Sequence, residues 1–306
     1  MAIPAIPAYP MPVSSDLPKN KVSWTPAPKR AALLIHDMQN YFLDAFPSNA
    51  SPFVELVRNI QRLKKECKEM GIPVIYSAQP GGQTLEQRGL LQDFWGNGIA
   101  DDPYQKGIID ELAPDAKDIV LTKWRYSAFK KTNLLEILEG HGRDQLIICG
   151  VYAHIGCLLT ASDAFMQDIQ VFFVADAVAD FSLEHHKMAL HYAASRCAFI
   201  TPTQHLIEAL KKEPVPDCQN ILPMSLHDVR NQVAELIQES PADLSDHENL
   251  VNRGLDSIRM MSLVEKWRRA GAEVTFAALA ARPTLFAWWN LLSSQSEKVL
   301  SARDSQ

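Results

Sequence analysis

The chain has 306 residues, of which 47% are hydrophobic and 22% charged, a composition typical of folded globular proteins. Its net charge of −6 provides no basic surface for nucleic acid, so we expect no nucleic-acid partner. No apolar run reaches the roughly 20 residues of a membrane span, and we expect no membrane association.

The first 30 residues are interrupted by prolines, which predicts an extended arm rather than regular structure. They contain neither the basic leader nor the apolar stretch of a secretion signal. The five cysteines of the chain are odd in number and scattered, without the spacing of a disulfide framework or a metal site. We therefore expect a cytoplasmic protein and predict no metal ligands.

From residue 31 onward, short apolar runs alternate with segments of helical periodicity. The apolar runs predict strands at 31–35, 73–78, 119–123, 145–150 and 171–175. Amphipathic periodicity predicts helices at 53–70, 130–140, 157–168, 183–195 and 203–212. Repeated strand–helix units with continuously apolar strands predict an α/β, Rossmann-like parallel sheet with helices on both faces.

Polar side chains follow several of these predicted strands. Asp37, Gln79 and Lys123 each stand at a strand's end, and the segment after Gly150 follows another. In open parallel sheets, ligands bind beyond the carboxyl ends of the strands. The sequence therefore predicts that these residues share one site.

The alternation ends at a proline-rich linker, 213–222, after which the periodicity is helical only. We predict an enzyme domain at 1–212, a helical domain at 223–295 and a polar tail at 296–306. Within the helical domain, Ser257 begins a predicted helix at 257–270, next to Asp256. Its hydroxyl is expected to be exposed at a positive helix end, although an Asp-Ser pair there is also an ordinary helix cap.

Residues 223–295 resemble the four-helix carrier proteins of nonribosomal peptide and fatty-acid assembly. Gly-Leu-Asp-Ser at 254–257 matches the stretch to which those proteins attach 4′-phosphopantetheine, and residues 248–250 and 283–285 match further positions. The resemblance implies a covalent 4′-phosphopantetheine on Ser257, added by a phosphopantetheinyl transferase. Arg259, Met260, Met261 and Phe276 would flank this arm, with the alternative that Met261 and Phe276 belong to the core.

Residues 1–210 resemble the isochorismatase superfamily of cysteine hydrolases. The resemblance lies in Leu-Ile-His-Asp-Met-Gln at 34–39, Lys-Trp-Arg-Tyr-Ser-Ala-Phe at 123–129 and Gly-Val-Tyr-Ala-His-Ile-Gly-Cys at 150–157. Superfamily members pair an aspartate and a lysine with a nucleophilic cysteine, but here Gly156 aligns with that cysteine. A thiol one residue further along a helix is turned about 100° away, so Cys157 is expected to be buried packing. True isochorismatases lack the cysteine in the same way.

The resemblance implies a hydrolase that cleaves the vinyl ether of isochorismate into 2,3-dihydro-2,3-dihydroxybenzoate and pyruvate. Asp37 would donate a proton to the terminal vinyl carbon, with Lys123 and Gly156 at the other catalytic positions. The substrate pocket would be lined by Gln79, Arg88, Tyr126 and Tyr152. Burial should raise the pKa of Asp37, whereas Lys123 should favour its carboxylate form. The Val151–Tyr152 peptide bond would be cis, as in relatives.

Together the two halves resemble bifunctional isochorismatase and aryl carrier proteins of catechol siderophore synthesis. This resemblance implies a 2,3-dihydroxybenzoate-AMP ligase that loads the arm, a condensation domain of a nonribosomal peptide synthetase that receives the aryl group, and a homodimer. Two alternatives stay open. The first domain could be a catalytically idle scaffold for the carrier, or an amidohydrolase that uses Cys157.

Overall fold

The computed structural model describes residues 3–212, 223, 225–237, 239–269 and 272–293. It divides into two compact units, Met1–Glu213 and Pro214–Gln306. The predicted linker at 213–222 and the predicted tail at 296–306 lie outside the described residues. Within the described ranges, no helix is long and apolar enough to cross a bilayer.

The first unit is built on a parallel six-stranded sheet, which confirms the predicted α/β class. Its strands are β1 Ala31–His36, β2 Val74–Ala78, β3 Ile119–Thr122, β4 Gln145–Val151, β5 Gln170–Ala179 and β6 Phe199–Thr201. The strand order is β3-β2-β1-β4-β5-β6, and each neighbouring pair is parallel. The sequence analysis missed β6, because three residues are too few to show a period.

Helices of very different length connect the strands. They are α1 Asn40–Leu43, α2 Phe53–Glu69, α3 Leu85–Arg88, α4 Leu91–Trp95, α5 Pro103–Lys106, α6 Leu134–Gly140, α7 Leu158–Phe165, α8 Leu183–Arg196 and α9 Thr203–Lys211. A π-helical turn at Ala153–Cys157 precedes α7. The long helices coincide with the predicted ones. The sequence analysis missed α1, α3, α4 and α5, since a single helical turn gives no amphipathic pattern.

Each face of the sheet is covered by its own apolar cluster. Along β1 every residue is buried, and successive side chains point to opposite faces: Leu33 and Ile35 enter the cluster beneath α2 and α9. Leu34 enters the cluster beneath α6, α7 and α8. Burying each such side chain contributes about 1.5–3 kcal/mol. A strand apolar on both faces can lie only in the middle of such a sheet.

The N-terminal arm is extended apart from one turn at Ser14–Asp16 and is fixed to the first unit. The backbone N–H of Ile6 donates to the carbonyl of Ala45 at 2.8 Å. The hydroxyl of Tyr9, which is buried, accepts from the backbone N–H of Asp180 at 2.7 Å. These contacts hold the arm's first residues close to the carboxyl end of the sheet.

The second unit contains α10 Leu226–Ile237, α11 Ser257–Arg269, α12 Phe276–Ala281 and a helix α13 at 285–293. Two indoles form the centre of its core: Trp267 and Trp288 are fully buried with ring centroids 5.9 Å apart. The loop before α11 is tied to the start of α13, because Leu250 N–H donates to the Pro283 carbonyl at 2.8 Å. The sequence analysis missed α12.

Candidate functional site

Asp37 follows β1 directly and has a φ of +50°, in the left-handed region. Its backbone N–H donates to the Ser77 carbonyl at 3.1 Å. Its carboxylate accepts from Ser77 Oγ at 2.7 Å, from Lys123 Nζ at 2.9 Å and from Gln79 Nε2 at 3.2 Å. Since β1, β2 and β3 are neighbours, their carboxyl ends bring together the residues that the sequence analysis selected. Backbone strain of this kind is most often kept at functional sites.

The Asp37–Lys123 pair is almost completely buried. Burial by itself would raise the pKa of Asp37. The charge of Lys123, with hydrogen bonds from Ser77 and Lys123, outweighs that effect and holds the pKa of Asp37 below its usual value. The sequence analysis expected burial and Lys123 to act in opposite directions on this pKa. In the site without substrate the partner groups prevail and favour the carboxylate form.

A cavity of about 580 Å³, which includes a part open to solvent, lies at this end of the sheet. It is lined by every residue that the sequence analysis placed in the site: Asp37, Gln79, Arg88, Lys123, Tyr126, Tyr152 and Gly156. Lys123 lies at its base, where Nζ also donates to the Arg125 carbonyl at 2.7 Å. The structure thus combines a desolvated acid, a desolvated ammonium group and a mainly apolar wall.

Arg88 brings a second positive charge to the cavity. Its side chain is buried at the end of α3, and Nε donates to the Gly96 carbonyl at 3.0 Å. Only a glycine at position 98 leaves room for this guanidinium, because a Cβ there would lie 2.6 Å from Arg88 Nη1. The remaining guanidinium N–H groups are suited to a bidentate contact with a carboxylate.

Tyr126 and Tyr152 contribute aromatic walls, and their hydroxyl groups have protein partners. Trp95 Nε1 donates to the Tyr126 hydroxyl at 2.7 Å. The Tyr152 hydroxyl donates to the Phe42 carbonyl at 2.7 Å, and its ring stacks on Phe181 at 4.2 Å. The Val151–Tyr152 bond is cis, as expected. Tyr152 therefore presents a fixed ring face to the cavity.

Other cavity residues escaped the sequence analysis. They are Ile3, Tyr41, Phe42, Leu91, Trp95 and Ile155. Most belong to the arm or to one-turn helices, which give no periodic signal. Gln39 was also missed: it is fully buried, and its amide accepts from Gln79 N–H at 2.7 Å and donates to the Gln79 carbonyl at 2.8 Å. Its place two residues after Asp37 was the one available clue.

Cys157 lies outside this cavity. It is fully buried in the cluster beneath α6–α8, and burial raises the pKa of its thiol well above the usual value. A thiol in that state is a poor nucleophile.

His154, Asp180 and His185 form a small polar cluster outside the cavity wall. His154 Nδ1 and Asp180 Oδ1 are 2.6 Å apart, and the His154 ring stacks on that of His185. These three residues lie within 4.8 Å of one another. Asp180 also accepts from the His154 backbone N–H at 2.6 Å, so the cluster is held together by hydrogen bonds and ring stacking.

The second unit presents a separate site at the start of α11. Ser257 is exposed at the first helical position, and among the described residues its hydroxyl has no hydrogen-bond partner. Asp256 takes the capping role, since its Oδ1 accepts from the Arg259 N–H at 2.8 Å. The alternative that Ser257 merely caps the helix is therefore not supported.

Of the residues expected to flank the arm, Met261 is 50% exposed. Met260 is buried in the core and cannot flank an arm, which corrects that expectation; Phe276 is half-buried.

Comparisons with known proteins also divide the chain into two regions, one in each unit. Residues 31–205 match the isochorismatase domain family, and residues 227–288 match the phosphopantetheine attachment site family. The chain is 58% identical over 311 residues to the isochorismatase of Bacillus subtilis (strain 168), covering 99% of each chain. It is 47% identical over 295 residues to enterobactin synthase component B of Escherichia coli (strain K12), covering 96% of this chain and 99% of that protein.

A solved structure is similar in fold. The cysteine hydrolase from Pseudomonas syringae pv. phaseolicola 1448A has a TM-score of 0.56 and 24% identity. The alignment covers 61% of this chain and 95% of that one, which corresponds in extent to a single α/β domain.

Proposed function

Because the chain belongs to the isochorismatase family and also matches the phosphopantetheine attachment family, we propose that it has two functions. Its first unit hydrolyses the vinyl ether of isochorismate to 2,3-dihydro-2,3-dihydroxybenzoate and pyruvate. Its second unit carries 2,3-dihydroxybenzoate as a thioester of 4′-phosphopantetheine on Ser257 for siderophore synthesis. Near full-length similarity to an isochorismatase and to an enterobactin synthase component supports both parts.

Asp37 is the proposed acid. A proton moves from its carboxyl group to the terminal vinyl carbon, which leaves an oxocarbenium ion at the carbon that bears the ether oxygen. Water adds to that carbon, and the hemiketal collapses to pyruvate and the ring alcohol. The observation that carries this assignment is the Asp37 carboxylate at a cavity wall, 2.9 Å from Lys123 Nζ and without a cysteine beside it.

The negative charge of the substrate can promote uptake of a proton from water by Asp37. Without substrate, Lys123 favours the carboxylate form of Asp37. Isochorismate has two carboxylates, and placing them beside Lys123 and Arg88 brings negative charge toward Asp37. Nearby negative charge raises the pKa of a carboxyl group, so binding itself would promote protonation of the acid.

The substrate-binding roles follow from the cavity wall. We propose that Arg88 binds a substrate carboxylate with its free guanidinium N–H groups. Gln79 orients the acid, because its Nε2 donates a hydrogen bond to Asp37 Oδ2 at 3.2 Å. The rings of Tyr126 and Tyr152 pack against the cyclohexadiene ring and exclude bulk water, which strengthens each electrostatic interaction inside.

The carrier function needs an accessible nucleophile, and the exposed Ser257 hydroxyl provides one. A phosphopantetheinyl transferase would attach the arm, and a 2,3-dihydroxybenzoate-AMP ligase would load it. A condensation domain of a nonribosomal peptide synthetase would receive the aryl group. The flexible tether raises the effective concentration of the thioester at each enzyme.

Two further assignments concern location and assembly. We propose a cytoplasmic location, consistent with the free thiols of Cys67, Cys149, Cys157 and Cys197. We also propose a homodimer, which could bury the exposed apolar side chains of Phe165 and Met166.

The two alternatives are less consistent with the site. An amidohydrolase that uses Cys157 would need a thiol in the cavity, whereas this one is buried elsewhere. An idle scaffold would have no reason to keep a buried, strained aspartate beside a buried lysine.

Pyruvate release from isochorismate, coupled to lactate dehydrogenase, tests the proposal. Asp37→Asn keeps the shape of the side chain but removes the acid, and we expect activity to fall by about 10²–10⁴-fold. The exposed Asp110→Asn is a matched control that should keep wild-type activity. No pyruvate release from folded wild-type protein would overturn the isochorismatase proposal and leave the carrier function.

A further inference from the structure

His36, the last residue of β1, is completely buried beside the site. Its Nδ1 lies 3.1 Å from the Val151 carbonyl, which can only accept, so Nδ1–H is the donor. Its Nε2 lies 3.3 Å from Thr160 Oγ1, which in turn accepts from the Ala128 N–H at 2.9 Å. The buried ring is therefore held from two sides, by the Val151 carbonyl at Nδ1 and by the Thr160 hydroxyl at Nε2.

The ring occupies the space next to the Cα of Gly156. A Cβ at position 156 would lie 2.2 Å from His36 Cε1, 2.9 Å from Nδ1 and 3.0 Å from Nε2. Non-bonded carbon atoms normally approach to about 3.5–4.0 Å. The backbone of His36 is equally confined, because a Cβ at Gly150 would lie 2.1 Å from its carbonyl oxygen. The ring is fully buried and hydrogen-bonded at both nitrogens, so moving away from a Cβ at position 156 would break those contacts.

We propose that His36 determines which side chain position 156 can carry, and so which class of reaction the cavity performs. With the imidazole in place, no cysteine can be built at 156, and water rather than a thiol must attack the substrate. This inference rests on the proposed hydrolysis for the reaction it names. His36 Nδ1 is 3.7 Å from Asp37 Oδ1 and the ring is absent from the cavity wall, so His36 is a positioning residue.

A double-mutant cycle in the full chain tests this steric coupling. Gly156→Cys is made in the wild-type background and together with His36→Val or His36→Ala, and Tm is measured for each protein. Gly140→Cys is the matched control, because a Cβ at the exposed Gly140 meets nothing within 4 Å. Each thiol is also treated with iodoacetamide in the native state, and tandem mass spectrometry locates the label. The buried Cys149 and Cys157 serve as internal controls.

We expect Gly156→Cys alone to lower Tm by about 4–10 °C, as overpacking does. Removing the imidazole should recover part of this loss and speed alkylation at position 156 about tenfold or more, with Cys149 and Cys157 unlabelled. Gly140→Cys should leave Tm unchanged. The proposal is overturned if the Tm effects at 36 and 156 simply add for both replacements of His36. It is also overturned if the thiol introduced at 156 reacts equally fast in every background.

These measurements need no substrate. A wild-type protein that failed to release pyruvate would overturn the proposed function and leave the steric inference intact. Additive Tm effects in an enzyme that does release pyruvate would overturn the steric inference and leave the proposed function intact.

Discussion

The two units of this chain differ in what they bury. The first unit buries charged and polar side chains, among them Asp37, Arg88, Lys123, Asp180 and His186. In the second unit, within the described residues, the buried side chains are all apolar, as around Trp267 and Trp288. Burial of an ionised or polar group is costly unless it is paired, so the first unit must supply a hydrogen-bond or charge partner for each of these groups.

The proposed functional groups of the two units have opposite surroundings, because Asp37 is buried and Ser257 is exposed. In the proposed functions, Asp37 acts where it is removed from water and surrounded by fixed partners. Ser257, by contrast, must be reached by other enzymes, and it lies at an exposed helix start. A buried acid and an exposed nucleophile need opposite surroundings, and in this chain they belong to separate units.

Ser257→Ala should have the largest effect. Removal of the hydroxyl should abolish the mass increase on incubation with coenzyme A and a phosphopantetheinyl transferase, measured by intact-protein mass spectrometry. Pyruvate release should not change, because the described residues that line the cavity all belong to the first unit. Ser262→Ala, an exposed serine on the same helix, should be modified like wild type. Modification that persists in Ser257→Ala would refute the assignment.

Trp288→Ala tests whether the second unit depends on its apolar core alone. Loss of a fully buried indole costs about 3–5 kcal/mol, which is comparable to the whole stability of so small a unit. We expect loss of pantetheinylation and rapid proteolysis within the second unit, with normal pyruvate release. Trp289→Ala, at a half-buried neighbour, should have a smaller effect. Equal effects of the two substitutions would contradict this account.

Acid should destabilise the first unit more than the second. Burial lowers the pKa of both His36 and His186 to about 4, and an unfolded histidine titrates near about 6.5. Between these values the unfolded chain binds more protons. The free energy of unfolding therefore decreases as the pH is lowered through this range, by up to about 1.4 kcal/mol per pH unit for each histidine. In the second unit, His227 and His247 are exposed.

Calorimetry from about pH 7 to about pH 5 checks this difference, because the transition of the first unit should move to lower temperature while that of the second moves less. Identical shifts of both transitions would show that the buried histidines do not cause the effect.

Ile3→Ala should have the smallest effect. This side chain of the arm forms part of the cavity wall, and truncation removes apolar contact with substrate. We expect KM for isochorismate to rise by about three- to tenfold, with little change in kcat. Val13→Ala, an exposed apolar residue of the same arm, is the control and should leave KM unchanged. An unaltered KM in Ile3→Ala would show that the arm does not contact substrate.

The sequence by itself determined the main elements and the key residues of both sites. Continuous apolar runs such as 145–150 can be satisfied only in strands buried on both faces, which sets the α/β class. Asp37, Gln79 and Lys123 could be selected because parallel strands expose their carboxyl ends at one edge. The Gly-Leu-Asp-Ser stretch at 254–257 was sufficient to propose Ser257 as the carrier serine.

Only the tertiary structure decided how those residues act. The pKa direction of Asp37 depends on distances to Lys123 and Ser77, which belong to other strands. Ile3 reaches the cavity from the far end of the chain, and the conflict between His36 and a side chain at 156 arises across 120 residues of sequence. Periodicity reports how each segment meets the core, whereas electrostatics and steric exclusion depend on atoms that only folding brings together.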